Sequence, residues 1–317
     1  MTLRVTLLAG GVGGAKMAEG FAALDDVALT VIGNVADDDM FHGLWVSPDI
    51  DTLTYTLAGL INRDQGWGLA DEGRRALDMI DRLGSDTWMF LGDKDFGLHI
   101  YRSERRRRGD RPTVIAQDIA RSLGVIPRIL LPTDDTIQTR VQTGDGWLSF
   151  QEYFVREKCQ PEVLALQYDR LDAARPTDEA LSALLDTDMI VIAPSNPLVS
   201  ILPIIRIPGV TDAIRRSPAP VVAVSPLIAG KVVKGPADRM LASLGQRADV
   251  VGVAQCYAGL ADALVIDTVD AGLAEAVEAT GARAICTDIL MPDLAGKSRL
   301  AAEVVARGAS LNPEGAV

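Results

Sequence analysis

The segment Arg4-Val5-Thr6-Leu7-Leu8-Ala9 runs apolar into Gly10-Gly11-Val12-Gly13-Gly14, and an alanine-rich helical pattern follows at Ala15-Lys16-Met17-Ala18-Glu19. A buried strand, a glycine turn and a helix in that order predict the first crossover of a parallel α/β sheet. The same junction suits an anion: glycines let a ligand approach main-chain N–H groups, and a helix N-terminus carries about half a positive charge. Lys16 supplies a full charge nearby. The spacing is not that of a Walker loop, and the dinucleotide fingerprint read from Gly11 lacks its last glycine. A tight first turn without a ligand is the competing reading.

The rest of the chain repeats the alternation. Val27–Gly33 reads as a second buried strand, followed by Asn34-Val35-Ala36-Asp37-Asp38-Asp39 and by Ser47-Pro48-Asp49-Ile50-Asp51-Thr52 at the start of a helix. Helical patterns at 51–61, 72–83, 96–107 and 112–123 are too extended for an ordinary connection and predict a helical cap over about residues 50–124. A strand at 128–131 and a hairpin at about 138–150, turning at Gly144-Asp145-Gly146, come next. From Thr177 onward, strands at 189–193, 220–225, 250–254, 263–267 and 282–286 alternate with helices, ending in a helix at 296–307 and a frayed tail from Gly308. The expectation is one Rossmann-like α/β domain over residues 1–317, with a doubly wound, mainly parallel sheet and an embedded helical cap.

A net charge of −12 disfavours nucleic acid as a partner. No apolar run reaches the roughly 18 residues of a membrane span. Three scattered cysteines fit neither a disulfide framework nor a zinc site, and the start of the chain has no secretory pattern, so a cytoplasmic protein is expected. Arg105-Arg106-Arg107-Arg108 opposes the acidic trend; it reads either as a solvated helix end or as a rim for anionic substrates.

Five loops fall at expected C-terminal strand ends, where open α/β sheets bind ligands: 10–14, 34–39, 91–95, 194–197 and 225–235. Carboxylates beside a phosphate loop repel the ligand unless a divalent cation lies between them, which nominates Asp38, Asp49 and Asp51 as magnesium ligands. Each can equally be a turn or helix-capping residue. Ser195 and Asn196, held between Pro194 and Pro197, offer fixed donors for a base or a phosphate. Lys231 and Lys234 form a late cationic turn. His42 and His99 assemble into no recognisable nucleophilic triad.

Taken in order, Gly10-Gly11-Val12-Gly13-Gly14-Ala15-Lys16, Asn34-Val35-Ala36-Asp37-Asp38, Ser47-Pro48-Asp49-Ile50-Asp51-Thr52, Leu91-Gly92-Asp93-Lys94-Asp95, Pro194-Ser195-Asn196-Pro197, Ser225-Pro226-Leu227-Ile228 and Lys234-Gly235-Pro236-Ala237 resemble the 2-phospho-L-lactate transferase family of deazaflavin coenzyme F-420 biosynthesis. The resemblance implies a magnesium-dependent phosphotransferase. It would move a phosphorylated three-carbon acid (phospholactyl, phosphoenolpyruvyl or phosphoglyceryl) from a guanosine diphosphate-linked donor to the deazaflavin alcohol Fo, releasing GMP. On that basis Gly10, Gly11, Val12, Gly13, Gly14, Lys16, Asn34, Ser195 and Asn196 are expected at the guanylyl donor. Asp51, Thr52 and Lys94 are expected at Fo, with Asp49, Asp51 and Lys94 taking part in the chemistry. Trp67, Trp88 and Phe96 are candidates for an apolar wall against the flat ring, or for core. The family also implies a homodimer. Two other classes stay open: a non-catalytic nucleotide-sugar-binding regulator of a related family, and a nicotinamide oxidoreductase with Asp37 as its acidic strand-end residue.

Overall fold

The first strand, β1 (Leu3–Ala9), lies in the interior of a seven-stranded parallel sheet, and that position explains its sequence: Val5, Leu7, Leu8 and Ala9 are all buried because helices cover both faces. A computed structural model describes residues 2–311. On one side β1 pairs with β2 (Val27–Gly33), which pairs with Arg128–Leu130; on the other it pairs with Met189–Ile192, followed outward by Val221–Val224, Ala263–Asp267 and Arg283–Thr287. The chain thus builds outward from β1 in one direction, returns, and builds outward in the other. Its reversal lies between β1 and Met189–Ile192, where Leu8 is flanked by Ile32 and Ile192. That switch opens a crevice at the C-terminal ends of the two strands.

Helix α1 (Gly11–Ala22) leaves β1 directly and crosses the C-terminal helix, Leu294–Ala309, at very short range. Gly20 makes the crossing possible, since a Cβ there would lie 2.4 Å from the Lys297 carbonyl oxygen. The Lys297 ammonium is itself buried and pairs with Glu19 at 2.6 Å.

The helical insertion is narrower than the expected 50–124. Helix α2 (Pro48–Leu57) has Pro48 in its first turn and sends Ile50 and Leu53 into the main core, and Ala116 and Ala120 of the helix Pro112–Ser122 do the same. Between them, α3 (Arg75–Arg82) and α4 (Asp93–Arg107) form a small core of their own around Leu77, Leu91 and Phe96, shared with Phe41 and Val46 of the ribbon Asp39–Val46. Trp88 packs edge-on against Phe41 beside this core, so Trp88 and Phe96 are structural. The arginine run at the end of α4 is consumed locally: Arg105 pairs with Asp110 and Asp118, Arg108 with Glu104, and Arg106 stacks over Trp45 at 4.1 Å. None of the four lines the crevice.

The expected hairpin occupies Gln138–Thr143 and Gly146–Ser149, and Ala165–Asp169 adds a third strand to it. The segment 250–254, expected as a strand, is instead the helix Val250–Cys256. The Asp249 carboxylate accepts hydrogen bonds from the amides of Val251 and Gly252, at 3.0 and 3.1 Å, and so caps it. Val250, Val251, Val253 and Ala254 are all buried, and a short helix apolar on every side has no polar period to distinguish it from a strand. The last helix continues through Ala309; the remainder of the expected frayed tail, from residue 312, lies outside the described residues. No single helix among the described residues is long and apolar enough to cross a membrane.

Candidate active site

A cavity of about 400 Å³ occupies the crevice at the sheet's switch point. Its floor is the turn Gly10–Gly13 and the loop Pro194–Asn196, from the ends of β1 and Met189–Ile192. α2 contributes Asp49, Asp51, Thr52 and Tyr55; the cap adds Trp67, Phe90 and His99; the segment after the hairpin adds Gln151 and Phe154.

The glycines of the floor have different tasks. Gly11 has φ +61°, a conformation that favours glycine, and donates its N–H to Asp49 Oδ1 at 2.8 Å. A Cβ on Gly13 would sit 2.1 Å from the Pro194 carbonyl oxygen, so the two strand-end loops touch only because that atom is missing. Gly14 packs against Ser195 and Ala9 below the cavity and does not line it.

Asp49 is held from two sides: Oδ1 by Gly11, and Oδ2 by Asn34 Nδ2 at 2.9 Å. Asn34 is itself fixed, its Oδ1 accepting from the Ala36 amide and its Nδ2 donating also to Val199 O. Asn34 is fully buried and outside the cavity lining, so it orients Asp49 and does not meet a ligand. Burial pushes the Asp49 carboxyl up to about 6, against the opposing pull of the Asn34 and Gly11 hydrogen bonds.

Asp37 faces the same cavity with Oδ1 lacking any hydrogen-bond partner; burial first, and Asp49 and Asp38 second, push its carboxyl well above the usual range. Two buried carboxylates facing one space, one with an orphaned oxygen, fit a cation shared with the phosphates of a ligand, which is how magnesium is commonly held. The expected trio Asp38, Asp49 and Asp51 does not form that set. Asp38 lies outside the lining: its Oδ2 accepts from Ser47 Oγ at 2.7 Å and Trp45 Nε1 at 3.0 Å, its buried Oδ1 has no partner either, and burial raises the carboxyl to about 7. Asp51 is engaged through both oxygens by Arg102 of α4. Among the described residues no group of three or more His, Cys, Asp or Glu is placed to hold a metal ion.

Of the other expected residues, Val12, Thr52, Ser195 and Asn196 line the cavity. Ser195 Oγ donates to Gly10 O at 2.7 Å, and Asn196 Oδ1 caps the following helical turn at Leu198. Lys16 lies one helical turn too far along α1, with its ammonium on Met291 O at 3.2 Å and outside the lining. Its place at the cavity is taken by Lys234, which reaches across to Gln65 O. Lys94 is exposed and donates to Ala70 O at 2.7 Å, outside the cavity. The expected strand before it does not exist: Gly92 caps α4, and the amides of Lys94 and Asp95 bind Glu72. Lys94→Met is therefore expected to keep turnover within about 3-fold of wild type in a steady-state assay, and a loss on the order of 100-fold would return Lys94 to the chemistry.

The sequence reading overlooked the inner face of α4. Asp95, His99 and Arg102, spaced i, i+4 and i+7, are buried on one side of α4, beside the buried Phe96 and Ser103. Asp95 accepts from Tyr55 Oη at 2.7 Å, and burial raises its carboxyl to about 6; burial also lowers His99 to about 4 and keeps it neutral. A polar stripe on the side that turns inward was the available signal.

Comparison with known proteins agrees with this architecture. A model of the family described as 2-phospho-L-lactate transferase CofD matches residues 5–306. A phosphoenolpyruvate transferase of Streptomyces griseus is 37% identical over 310 residues, 96% of this chain and 98% of its own. A 2-phospho-L-lactate transferase of Methanopyrus kandleri is 36% identical over 309 residues, 96% of this chain and 97% of its own. Among solved structures, a UPF0052-family protein of Bacillus halodurans superposes with a TM-score of 0.63 at 18% identity, covering 96% of this chain and all of that one, a likeness of fold alone.

Proposed function

The chain belongs to the 2-phospho-L-lactate transferase CofD family, and we propose that it transfers a phosphorylated three-carbon acid from a guanylylated donor to the hydroxyl of the deazaflavin Fo, releasing GMP. The observation that carries this reading is a single cavity whose lining combines an anion-binding floor with aromatic side chains. The floor joins Gly10–Gly13 to Pro194–Asn196 beside Lys234, Asp37 and Asp49, a setting for a diphosphate. The lining also includes Trp67 and Phe90, which meet edge-on at 6.4 Å, a setting for a flat ring. The relatives named as phosphoenolpyruvate and as 2-phospho-L-lactate transferases support the transfer and leave the acid open between those two.

In the reaction the acceptor oxygen attacks the phosphorus that carries the three-carbon acid. A new P–O bond forms, the anhydride bond to the guanylyl phosphate breaks, GMP departs and the hydroxyl proton is lost. Such a step needs positioning and charge neutralisation more than a strong base. Asp37 and Asp49 would hold magnesium, which when bound neutralises phosphate charge. Lys234 adds a cation to the lining, Asn196 and the main-chain amides of Val12 and Gly13 position the donor, and Asp51 accepts a hydrogen bond from the attacking hydroxyl. Exclusion of water by the cap keeps the phosphorus for the alcohol.

Incubation of the purified protein with Fo, magnesium and the three guanylylated acids in competition, followed by mass spectrometry, is expected to yield GMP and one dominant Fo conjugate. Binding of guanine nucleotide without release of GMP from any donor would refute the transferase reading and favour a regulator.

A further inference from the structure

Resting on the reading that Fo occupies this cavity against Trp67 and Phe90, we propose that His99 selects the acceptor by donating a hydrogen bond from Nε2–H to a carbonyl oxygen of its ring, with Arg102 as the residue that fixes the required tautomer. Arg102 NH1 lies 3.1 Å from His99 Nδ1, and a guanidinium carries only donors. Nδ1 must therefore accept, which leaves the ring proton on Nε2. His99 is 2% exposed, its imidazole lines the cavity, and among the described residues Nε2 has no hydrogen-bond partner. A donor that opens only onto the cavity takes its acceptor from there, water in the free protein and a ligand when one is bound.

The chemistry of the partner follows from the surroundings. His99 is a neutral donor next to the Asp51 carboxylate, 3.9 Å from Nδ1 to Oδ2, whereas the charged and main-chain donors of the cavity are Lys234 and the first amides of α1. A phosphate is served by the second set; an uncharged carbonyl on a flat heteroaromatic ring suits the first. Arg102 does not line the cavity and acts through His99 and Asp51, holding the imidazole with the same NH1 group that binds Asp51 Oδ2 at 3.1 Å. It is a positioning residue.

The chain has two histidines, so the tautomer can be read directly. With ¹⁵N-histidine, and His42→Gln to assign the signals, His99 is expected to show a pyridine-type Nδ1 and a pyrrole-type Nε2, with the Nε2 proton shifting on addition of Fo alone. Fo titration of His99→Phe and His99→Asn, neither of which can donate from the Nε2 position, is expected to weaken binding on the order of 10-fold. His99→Gln, whose amide nitrogen falls near Nε2, should return to within about 3-fold, with GMP affinity unchanged in all three. A protonated Nδ1, Fo affinity unchanged in His99→Asn, or equal losses in His99→Gln and His99→Asn would overturn the inference while leaving the acceptor reading intact. Failure of the wild-type protein to bind Fo would overturn both.

Discussion

Asp49→Asn is expected to lower turnover by on the order of 100-fold or more while leaving a folded protein that still binds GMP. The substitution keeps shape but not the pattern of donors and acceptors. Asp49 accepts through both oxygens, from Gly11 N and from Asn34 Nδ2. An asparagine there must aim its amide at one of these donors. Asn34 cannot turn over to compensate, because its Oδ1 is committed to Ala36 N and its Nδ2 also serves Val199 O. One hydrogen bond is lost, costing about 1–3 kcal/mol of stability. The larger effect falls on catalysis: half of the Asp37–Asp49 pair loses its charge, so the proposed magnesium site weakens where the phosphate charge is greatest. Turnover measured across a magnesium titration should show both a lower plateau and a higher half-saturating concentration. Turnover within 10-fold of wild type at unchanged magnesium dependence would remove Asp49 from the site.

The sequence made the frame legible because the frame is repetitive. Each central strand is apolar on both faces, each crossover brings a helix, and the glycine turn marks where β1 stops. The loops at 10–13 and 194–196 could be brought together from topology alone, since they end neighbouring strands on the two sides of the switch. Side-chain direction was harder. Asp37 and Asp38 are adjacent in an irregular loop, where consecutive side chains diverge, and it is Asp37 that faces the cavity while Asp38 binds Trp45 and Ser47. Lys16 has the right charge one helical turn too deep. Lys234, far along the chain, fills the position through a loop whose path no local pattern specifies. Lys94 stands at a helix start that an expected strand had concealed. The cap was least legible because its inner surface is partly polar: hydrophobic periodicity cannot locate a face built from Asp95, His99 and Arg102.

Arg102→Met is expected to destabilise the protein by about 3–5 kcal/mol, the largest loss of stability among the substitutions considered, because it strands a buried carboxylate. Arg102 is 5% exposed and Asp51 5%, and the guanidinium engages both carboxylate oxygens. Burial opposes the charge on Arg102, and the nearby Asp51 carboxylate outweighs it, holding the guanidinium protonated. Methionine fills much of the volume, so the loss reports on charge and not on a cavity. Urea unfolding should show a lower midpoint at an unchanged slope. Asp51→Asn removes the carboxylate and leaves the arginine buried without its counter-charge, so it too should lose stability, and its loss of activity alone cannot assign Asp51 to the chemistry. The double variant Arg102→Met with Asp51→Leu separates the two effects. It removes both members of the ion pair and is expected to recover most of the stability, yet it takes the Asp51 acceptor from the cavity wall and should remain inactive. A single-variant loss below about 1 kcal/mol would show that water reaches the pair and that the cap does not seal this side of the site. Recovery of turnover in the double variant would free Asp51 from any role beyond anchoring α4 to α2.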